Sequence, residues 1–524
     1  MGIYLNPGNG KFKKACNSAI YIDKTGLIEL TNEVMDTEQN CICISRPRRF
    51  GKSMAANMLA AYYGKECDSK ELFDKYKIAE KESYRENLNQ YNVIALNIQN
   101  FLSIVSSADE LIAYIQSEIL GEVKEHFKDK IPEQEKFLSM ALDKLYSKTG
   151  EGFVFIIDEW DCILREKKYT SEDHRKYLDF IRNLLKDRVY VSLAYMTGIL
   201  PIKKYGTHSA LNMFDEYSMT DPGDYAEYVG FTEEEVEDLC SQYHVDFEKE
   251  KEWYDGYIFG KDLHIYNPKS VVDSIRRKDF SSYWTQTETY EALKIYVNMN
   301  YDGLKNSIIY MLVGEKIRID YGTFQNDMMT FESKDDVLTL LVHLGYLAYN
   351  REKGQVSIPN AEIRAEFIRV IKSCKWNEVV KLIEKSEQLL YATWGIQEAI
   401  VAKIIDQVHS ANTSILTYND ENALSCVISL AYYNAVNEYT KIREFPTGKG
   451  FADIVYIPRK HSDKPAMVIE LKYNHSAEGA IAQIKEKRYV ESLKEYHGNL
   501  LLVGINYNKD TKKHTCAIEK YEKE

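Results

Sequence analysis

A Gly-Lys-Ser triplet at residues 51–53 is the strongest chemical signal near the start of the chain. It follows a β-branched run at 41–45 and opens a helical pattern, an order of elements that can hold a triphosphate. Backbone N–H groups then surround the phosphates, Lys52 reaches the β- and γ-oxygens, and Ser53 binds Mg²⁺. The general pattern has glycine at position 46, where this chain has Arg46. A basic strand–helix junction of an ordinary α/β protein therefore stays an alternative.

Two acids, Asp158 and Glu159, follow a continuous apolar run at 153–157. Such a run is typical of a buried parallel strand whose carboxyl end directs side chains into a cleft. A nucleotide-hydrolysing enzyme needs an Asp there to hold Mg²⁺ through water and a neighbouring Glu to polarise the attacking water. A strand that ends in an ordinary turn would look the same. The combination with the Gly-Lys-Ser triplet nevertheless favours nucleotide binding.

Two further polar segments have open interpretations. Thr197 ends the strand pattern at 189–196 and is placed to sense the γ-phosphate, although a strand-end Thr before glycine is also a common structural feature. Asp23, Lys24 and Thr25 could touch the base or ribose of a nucleotide, but their position before a short helical pattern favours a helix cap.

A second group of chemical residues lies near the other end of the chain. Asp453 is near the start of one predicted strand, and Glu470 and Lys472 share a face of the next, because side chains alternate along a strand. An Asp and a Glu that meet across two strands can hold Mg²⁺, and a Lys beside them can orient or deprotonate water for attack on a phosphodiester. An exposed charge ladder is the alternative, but residues 467–469 are continuously apolar and indicate a buried strand. Two side chains on flanking helical patterns are supporting candidates: Glu421 and Gln483.

The elements that must position these residues predict an α/β multidomain protein. Strands alternate with helices up to about residue 230, which predicts a parallel sheet with helices on both faces. An acidic, aromatic stretch then predicts a helical lid. Helices followed by a hairpin predict a winged-helix-like module, a fold that often binds DNA and as often packs protein, here without a basic recognition helix. The predicted parts are 1–230 (parallel α/β core), 231–300 (helical lid), 301–375 (winged-helix-like module) and 376–524 (C-terminal α/β domain).

Composition restricts the class of protein further. The net charge is −13, so any contact with nucleic acid must use local basic patches. Nine cysteines without a CxxC pair predict reduced thiols and a cytoplasmic protein. No segment approaches the roughly eighteen apolar residues of a membrane span, which argues against a membrane partner.

These motifs resemble a known family. Four segments, Tyr21–Thr25, Ser45–Ser53, Asp158–Asp161 and Met196–Leu200, are similar to the prokaryotic AAA-ATPase-like family. The loop of that family typically reads Arg-Pro-Arg-Arg-Phe-Gly-Lys-Ser, so Arg46 departs from the general pattern but not from the family's. In the C-terminal part, Asp453, Glu470-x-Lys472 and Gln483 resemble the PD-(D/E)XK nuclease superfamily. The two resemblances imply an ATPase core over 1–230 and a restriction-endonuclease-like α/β domain over 376–524.

The resemblance implies a role for each matching residue. ATP and Mg²⁺ are the implied cofactors, with Lys52 on phosphate and Ser53 and Asp158 around Mg²⁺. Glu159 would act on the hydrolytic water. The remaining implied nucleotide contacts are Arg46, Arg48, Arg49, Gly51 and Thr197. In the nuclease-like part, Asp453 and Glu470 would bind the metal, Lys472 would activate water, and Glu421 and Gln483 would support them.

Two functions from different classes remain open. The first is an ATP-binding and ATP-hydrolysing protein fused to a metal-dependent nuclease that acts on DNA, with a homo-oligomer expected by analogy. The second is a nucleotide-dependent regulatory, mobile-element or defence switch whose nuclease-like domain only binds nucleic acid or a partner. The intact set of Asp, Glu and Lys favours the first, because a protein that only binds has no chemical need for all three.

Overall fold

The computed structural model describes residues 2–205, 208–284, 289–299, 301–374, 376–412, 421–447, 450–459, 462–487, 493 and 499–521. Its helices are α1 (Gly10–Cys16), α2 (Gly26–Glu33), α3 (Lys52–Tyr63), α4 (Lys70–Phe73), α5 (Ser83–Asn87), α6 (Ile98–Leu102), α7 (Ala108–His126), α8 (Leu138–Thr149), α9 (Cys162–Arg165), α10 (Ser171–Leu185), α11 (Glu233–Tyr243), α12 (Phe247–Tyr254), α13 (Pro268–Arg277), α14 (Thr289–Val297), α15 (Leu304–Leu312), α16 (Lys334–His343), α17 (Ala361–Ser373), α18 (Asn377–Trp394), α19 (Glu398–Asn412), α20 (Glu421–Ala431) and α21 (Ala477–Glu486). Its strands are β1 (Cys41–Ser45), β2 (Asn92–Asn97), β3 (Phe153–Asp158), β4 (Val191–Gly198), β5 (Lys204–Tyr205), β6 (His208–Ser209), β7 (Asp215–Tyr217), β8 (Phe231–Thr232), β9 (Tyr257–Phe259), β10 (Leu263–Tyr266), β11 (Ile317–Arg318), β12 (Ala348–Asn350), β13 (Gln355–Ser357), β14 (Tyr439–Thr447), β15 (Gly450–Pro458), β16 (Ala466–Tyr473), β17 (Leu500–Asn508) and β18 (Lys513–Lys520).

The chain forms two compact units. The first unit comprises Met1–Tyr296 and Lys316–Glu366, and the second comprises Val297–Glu315 and Phe367–Glu524. Each unit has its own five-stranded sheet. The finer division into four parts stays a prediction.

The sheet of the first unit is parallel throughout, with the strand order β2-β3-β4-β1-β7. Strands β1, β3 and β4 are buried along their whole length, as their apolar runs predict. Strand β4 lies between the strand that enters the Gly-Lys-Ser loop and the strand that ends in Asp158, and its Thr197 pairs with Asp158. The predicted parallel α/β sheet is confirmed.

Two small antiparallel sheets belong to the later part of the first unit, with the orders β8-β10-β9 and β11-β13-β12. Helices α11, α12 and α13 pack with the first of these around a core that includes Val236, Tyr254 and Val271. The start of α13 is set by its sequence, because the Asn267 side chain accepts hydrogen bonds from the N–H groups of Lys269 and Ser270, and proline occupies the first helical position.

The second unit contains a mixed sheet with the order β14-β15-β16-β17-β18. Only β16 and β17 run parallel, joined by the crossover helix α21, and the other pairs are antiparallel. Helix α21 packs Ile481 and Ile484 against Val468 and Leu502 of these two strands. The predicted C-terminal α/β domain is confirmed.

Two expectations from composition concern the whole chain. Every helix in the described ranges is too short or too polar to cross a bilayer. The eight cysteines that the structure describes are free thiols. The cytoplasmic location stays a prediction.

Candidate nucleotide and metal sites

The loop between β1 and α3 turns through two residues with positive φ. Arg49 has φ 70° and Gly51 has φ 98°, the left-handed region that favours glycine. The Gly51 carbonyl accepts hydrogen bonds from the N–H groups of Met54 and Ala55, each at 3.0 Å, so the helix begins immediately after the turn. The sequence therefore points the N-terminus of α3 out of the carboxyl edge of the sheet.

A cavity of about 1370 Å³ lies against this helix N-terminus. Its walls come from the loop, from residues 18–22, from residues 228–231 and from α13. Seven basic side chains line it: Lys24, Arg48, Arg49, Lys52, Arg165, Lys269 and Arg276. Three acids line it: Glu159, Glu166 and Asp273. The excess of positive charge suits a polyanionic ligand.

Lys52 is the most buried of these cations, with 4% of its surface exposed. Its Nζ donates a 2.9 Å hydrogen bond to the Pro47 carbonyl. Burial lowers the pKa of Lys52, although the carboxylates of Glu159 and Asp158 act in the opposite direction. The ammonium group thus lies in a poorly hydrated position without a direct anionic partner among the described residues.

Asp158 lies behind the cavity wall, held by polar neighbours. Burial raises the pKa of this carboxyl, and hydrogen bonds with Ser53 and Asn97 act in the opposite direction. The Asn97 Nδ2 donates to Asp158 Oδ2 at 3.0 Å. Ser53 and Asp158 are therefore neighbours, as a shared Mg²⁺ would require.

Glu159 reaches the cavity wall from a left-handed backbone, with φ 54°. Its carboxylate forms an ion pair with Arg165. Burial opposes ionisation, but Lys52, Arg165 and Arg48 together lower the pKa of Glu159, so the group is ionised.

Arg46 and Thr197 lie away from the cavity wall. Arg46 is fully buried, and its Nη1 donates to the carbonyls of Ser45 at 2.9 Å and Tyr217 at 3.1 Å. Its guanidinium lies over the Phe259 ring, and burial lowers its pKa to about 10. The structure gives Arg46 a packing position, which does not support the expected phosphate contact. The Thr197 hydroxyl is buried without a hydrogen-bond partner among the described residues.

The loop is held from outside by residues that the sequence interpretation missed. Trp284 Nε1 donates to the Arg48 carbonyl at 3.0 Å, and the Asn267 side chain donates weakly to the same oxygen at 3.5 Å. Gly345 has φ 88°, and a Cβ there would lie 2.8 Å from Pro47. No sequence motif marks these contacts, because each joins residues far apart in the chain.

The segment before α2 only partly matches its predicted role as a helix cap. Asp23 Oδ1 accepts from the Thr25 N–H at 2.9 Å and Oδ2 from the Lys77 N–H at 2.8 Å, so Asp23 fixes a local turn. Lys24, in contrast, lies on the cavity wall and pairs with Glu235 at 2.6 Å. The basic residues that α13 brings to the cavity, Lys269 and Arg276, were not predicted.

The candidate residues of the second unit come together on β15 and β16. Ile454 pairs with Ile469 in an antiparallel register, which brings Asp453 beside Glu470. Asp453 Oδ2 accepts a 2.7 Å hydrogen bond from the Leu471 N–H. Glu470 is 2% exposed and Asp453 is half-buried, so the buried carboxylate meets one that solvent can still reach.

The two carboxylate oxygens of Glu470 differ in their hydrogen bonds. Its Oε1 accepts from Lys472 Nζ at 3.2 Å and from Gln483 Nε2. Its Oε2 is buried and has no hydrogen-bond partner among the described residues. Burial first, and the charge of Asp453 second, raise the pKa of Glu470 to about 7. A divalent cation would supply the missing partner, so these oxygens fit a metal.

Glu421 is the remaining candidate of this group. Helix α20 begins at Glu421, but its side chain is outside the described residues. The structure thus brings Asp453, Glu470, Lys472 and Gln483 together.

A parallel sheet with a Gly-Lys-Ser loop and a mixed sheet with an Asp–Glu–Lys group define an ATPase-like protein joined to a nuclease-like domain. Comparison with known proteins agrees. Residues 9–207 match the AAA-ATPase-like family, described as predicted AAA-ATPase, and residues 419–516 match the PD-(D/E)XK nuclease superfamily. The N-terminal part of the chain is therefore similar to the AAA-ATPase-like family and the C-terminal part to the PD-(D/E)XK nuclease superfamily, which confirms both resemblances.

Individual proteins are similar over part or most of their length. An uncharacterized protein in the vnfD 5′ region of Azotobacter chroococcum mcd 1 is 25% identical over 281 residues, which are 51% of this chain and 51% of that protein. The chain thus spans about half the length of this curated relative. A Walker-type ATPase of Pyrococcus abyssi has a TM-score of 0.33 and 14% identity, over 66% of this chain and 94% of its own. The ORC2 protein of Aeropyrum pernix has a TM-score of 0.32 and 12% identity, over 68% and 97%.

Proposed function

We propose that the first unit binds and hydrolyses ATP with Mg²⁺ and that the second is a metal-dependent nuclease acting on DNA. The observation that supports the ATPase half is the buried Lys52, which lines a cationic cavity and has no direct anionic partner among the described residues. The observation that supports the nuclease half is the buried Oε2 of Glu470 beside Asp453, which no described residue hydrogen-bonds.

In the first unit, Lys52 exchanges its hydrogen bond to Pro47 for the β- and γ-phosphate oxygens of ATP. The N–H groups at the start of α3 bind the same phosphates, and Arg48 and Arg49 add charge from the loop. Ser53 and Asp158 would hold Mg²⁺, which would neutralise the phosphate charge that develops in the transition state.

Glu159 is the residue that polarises the attacking water. Its carboxylate is ionised and lies on the cavity wall, as this role requires. Its ion pair with Arg165 holds the carboxylate to one side, so a productive complex needs the pair to open. Thr197 and Arg46 lie behind the wall: Thr197 pairs with Asp158 in the sheet, and Arg46 donates to the Ser45 carbonyl at the start of the loop.

In the second unit, Asp453 and Glu470 hold a divalent cation, which would activate water and stabilise the charge on the scissile phosphate. Lys472 lies 3.2 Å from Glu470 and orients or deprotonates the attacking water. Gln483 donates a hydrogen bond to Glu470 Oε1, which leaves Oε2 available to the cation that the pair would hold. Glu421 is proposed as a supporting carboxylate.

The ATPase half is tested by ATP binding and hydrolysis in wild type, Lys52→Ala and Glu159→Gln. We expect Lys52→Ala to weaken ATP binding at least about a hundredfold, while Glu159→Gln keeps binding and loses about a thousandfold in hydrolysis. Glu166→Gln, which changes another acid on the same cavity wall, is the matched control. Unchanged ATP affinity in Lys52→Ala would show that the phosphate role of the loop is wrong.

The nuclease half is tested with DNA and Mg²⁺ or Mn²⁺, with and without ATP. Wild type should cleave and Glu470→Ala should not, whereas Glu478→Ala, an exposed acid on α21, should cleave like wild type. Absence of cleavage of any DNA or RNA, with ATP hydrolysis retained, would favour the alternative function, a nucleotide-dependent switch whose nuclease-like domain only binds.

A further inference from the structure

The turn that joins β17 to β18 carries three exposed lysines. This lysine turn comprises residues 508–513, with Lys509, Lys512 and Lys513 against a single acid, Asp510. We propose that the lysine turn binds the phosphate backbone of a DNA strand and aligns that strand with the Asp453–Glu470 pair. The proposal rests on the proposed nuclease function and names the surface that receives its substrate.

The register of the sheet places the lysine turn at the edge that carries the acidic pair. Strands β16 and β17 run parallel, with Glu470 opposite Gly504 and Lys472 opposite Asn506. Both strands therefore end at the same edge, and the lysine turn continues directly from the end of β17. Lys509 is five residues beyond Gly504, which is about 17 Å at roughly 3.3 Å per residue.

The backbone of the lysine turn is fixed to the segment that follows Lys472. The Lys509 N–H donates to Asn474 Oδ1 at 2.7 Å, and the Asn474 N–H donates to the Tyr507 carbonyl at 2.8 Å. Within the turn, Asn508 Oδ1 accepts from the N–H groups of Asp510 and Thr511 at 3.0 and 2.9 Å. A surface held in this way offers its charges at set positions, which lowers the entropy lost on binding.

The three ammonium groups are available to a ligand. In the part of the chain that the structure describes, none of them has an ion-pair or hydrogen-bond partner. Other lysines of the same unit do have partners, as in the pairs Lys485–Glu519 and Lys464–Asp463. Three unpaired cations in a chain of net charge −13 form a local basic patch of the kind that nucleic-acid binding would need here.

The spacing favours a nucleic-acid strand over a single phosphate or a short acidic peptide. Phosphates of one DNA strand recur about every 3.4 Å along the duplex axis, so 17 Å corresponds to about five nucleotides. A strand whose scissile phosphate lies at Glu470 would thus still be in contact with the lysine turn. Lysine contacts of this type set register and orientation without reading sequence.

The test compares DNA binding by wild type and by the triple variant Lys509→Gln/Lys512→Gln/Lys513→Gln in the full chain. Binding of a fluorescein-labelled 30-base-pair duplex is followed by anisotropy in EDTA, which prevents metal-dependent cleavage. We expect the triple variant to bind about 10- to 30-fold more weakly at about 0.1 M salt. The slope of log affinity against log salt should fall by about two to three, because each phosphate contact contributes about 0.9.

The matched control is Lys11→Gln/Lys13→Gln/Lys14→Gln on α1, three exposed lysines whose removal makes the same change in net charge. We expect this control to bind within about twofold of wild type. An equal loss in both variants, or no loss in the lysine-turn variant, would overturn the proposal. So would competition of the duplex by inorganic phosphate or polyglutamate as effective as competition by unlabelled DNA.

Cleavage separates this proposal from the proposed nuclease function. If wild type cleaves DNA and the lysine-turn variant binds and cleaves equally well, the nuclease stands and the lysine turn is not its substrate surface. If nothing cleaves but the lysine turn still accounts for binding, the turn is a DNA-binding surface and the nuclease assignment fails. Melting temperatures should agree within about 2 °C, since all six lysines are exposed.

Discussion

The two candidate sites differ in the sign of the charge that a ligand would have to supply. In the first unit, Lys52 is buried, its direct partner among the described residues is a carbonyl oxygen, and burial lowers its pKa. In the second unit, Glu470 is buried with one oxygen that no described residue hydrogen-bonds, and burial raises its pKa. Burial therefore disfavours the charged form of each group. The first site is therefore organised for an anion and the second for a cation.

The same comparison distinguishes residues that bind a ligand from residues that stabilise the fold. A buried charge without a partner lowers the stability of the ligand-free protein, and the ligand restores it. Residues that merely support the fold behave in the opposite way, because their removal costs stability whether or not a ligand is present. Stability measured with and without ligand can therefore distinguish the two kinds of residue.

The largest effects are expected for Lys52→Met and Glu470→Gln, which keep side-chain volume and remove the charge. Each variant should lose at least about a thousandfold in its own activity, ATP hydrolysis or DNA cleavage, which corresponds to about 4 kcal/mol or more. The activity of the unit that is not substituted should change little, provided that the assay does not depend on ATP. The ligand-free protein should melt at the same temperature as wild type or higher.

Thermal unfolding with and without ligand tests whether Lys52 and Glu470 are ligand-binding residues. Saturating ATP–Mg²⁺ at about 100 times its dissociation constant should stabilise wild type by about 2.7 kcal/mol and leave Lys52→Met unchanged. Mn²⁺ should stabilise wild type but not Glu470→Gln. A large drop in the ligand-free melting temperature of either variant would contradict the comparison and indicate a structural role.

Glu250 is a buried carboxylate that belongs to neither site, and it predicts a pH dependence. Its Oε1 accepts from Ser274 Oγ at 2.6 Å, its Oε2 is unpartnered among the described residues, and burial raises its pKa from 4.5 to about 8. The folded chain therefore keeps this proton as the pH rises above 4.5, while the unfolded chain loses it, so stability falls with rising pH up to about 8.

Glu250→Gln removes this dependence. Between pH 4.5 and about pH 7, wild type should lose roughly 3 kcal/mol relative to Glu250→Gln, at about 1.4 kcal/mol per pH unit. Denaturant unfolding of both proteins across this range measures the difference. ATP hydrolysis at one pH should be unaffected, and a constant difference in stability across the range would show that Glu250 ionises normally.

The sequence predicted what depends on neighbouring residues. The apolar runs before Ser45 and Asp158 predicted buried strands, and the alternation of Glu470 and Lys472 predicted their shared face, because these patterns follow from local geometry. The position of Arg46 could not be predicted in this way. Its side chain is placed by Tyr217 and Phe259, which lie about two hundred residues further along the chain.

The residues that hold the Gly-Lys-Ser loop in place could not be predicted for the same reason. Trp284 and Gly345 act on the loop only after the later part of the unit has folded against it, and neither belongs to a recognisable motif. The lysine turn was not predicted either, because three lysines in a polar loop resemble any solvated turn. Only the register of β16 and β17 shows that they lie at the same edge of the sheet as the acidic pair. Long-range contacts and sheet order, which a single sequence does not encode locally, account for these omissions.

Gly345→Ala should destabilise the first unit by about 1 to 3 kcal/mol. The new Cβ would lie 2.8 Å from Pro47, and the backbone at φ 88° is strained for alanine. Because the clash falls on the loop, ATP affinity should fall with stability, and equilibrium unfolding together with ATP titration measures both. Gly150→Ala, also at positive φ but with open space around its Cβ, is the control that should leave ATP affinity unchanged.

The smallest effect is expected for Trp284→Phe. The change keeps most of the ring but removes the Nε1 hydrogen bond to the Arg48 carbonyl, while the weak contact from Asn267 to the same oxygen is kept. One neutral hydrogen bond contributes about 1 kcal/mol, so ATP affinity should fall about five- to tenfold. Trp253→Phe, in the same unit but packed against the core of α11–α13, should match its loss of stability without the loss of affinity. Equal ATP affinities in the two variants would show that the hydrogen bond to the Arg48 carbonyl does not position the loop. The nucleotide site would then differ from the Asp453–Glu470 site in the sign of its charge alone.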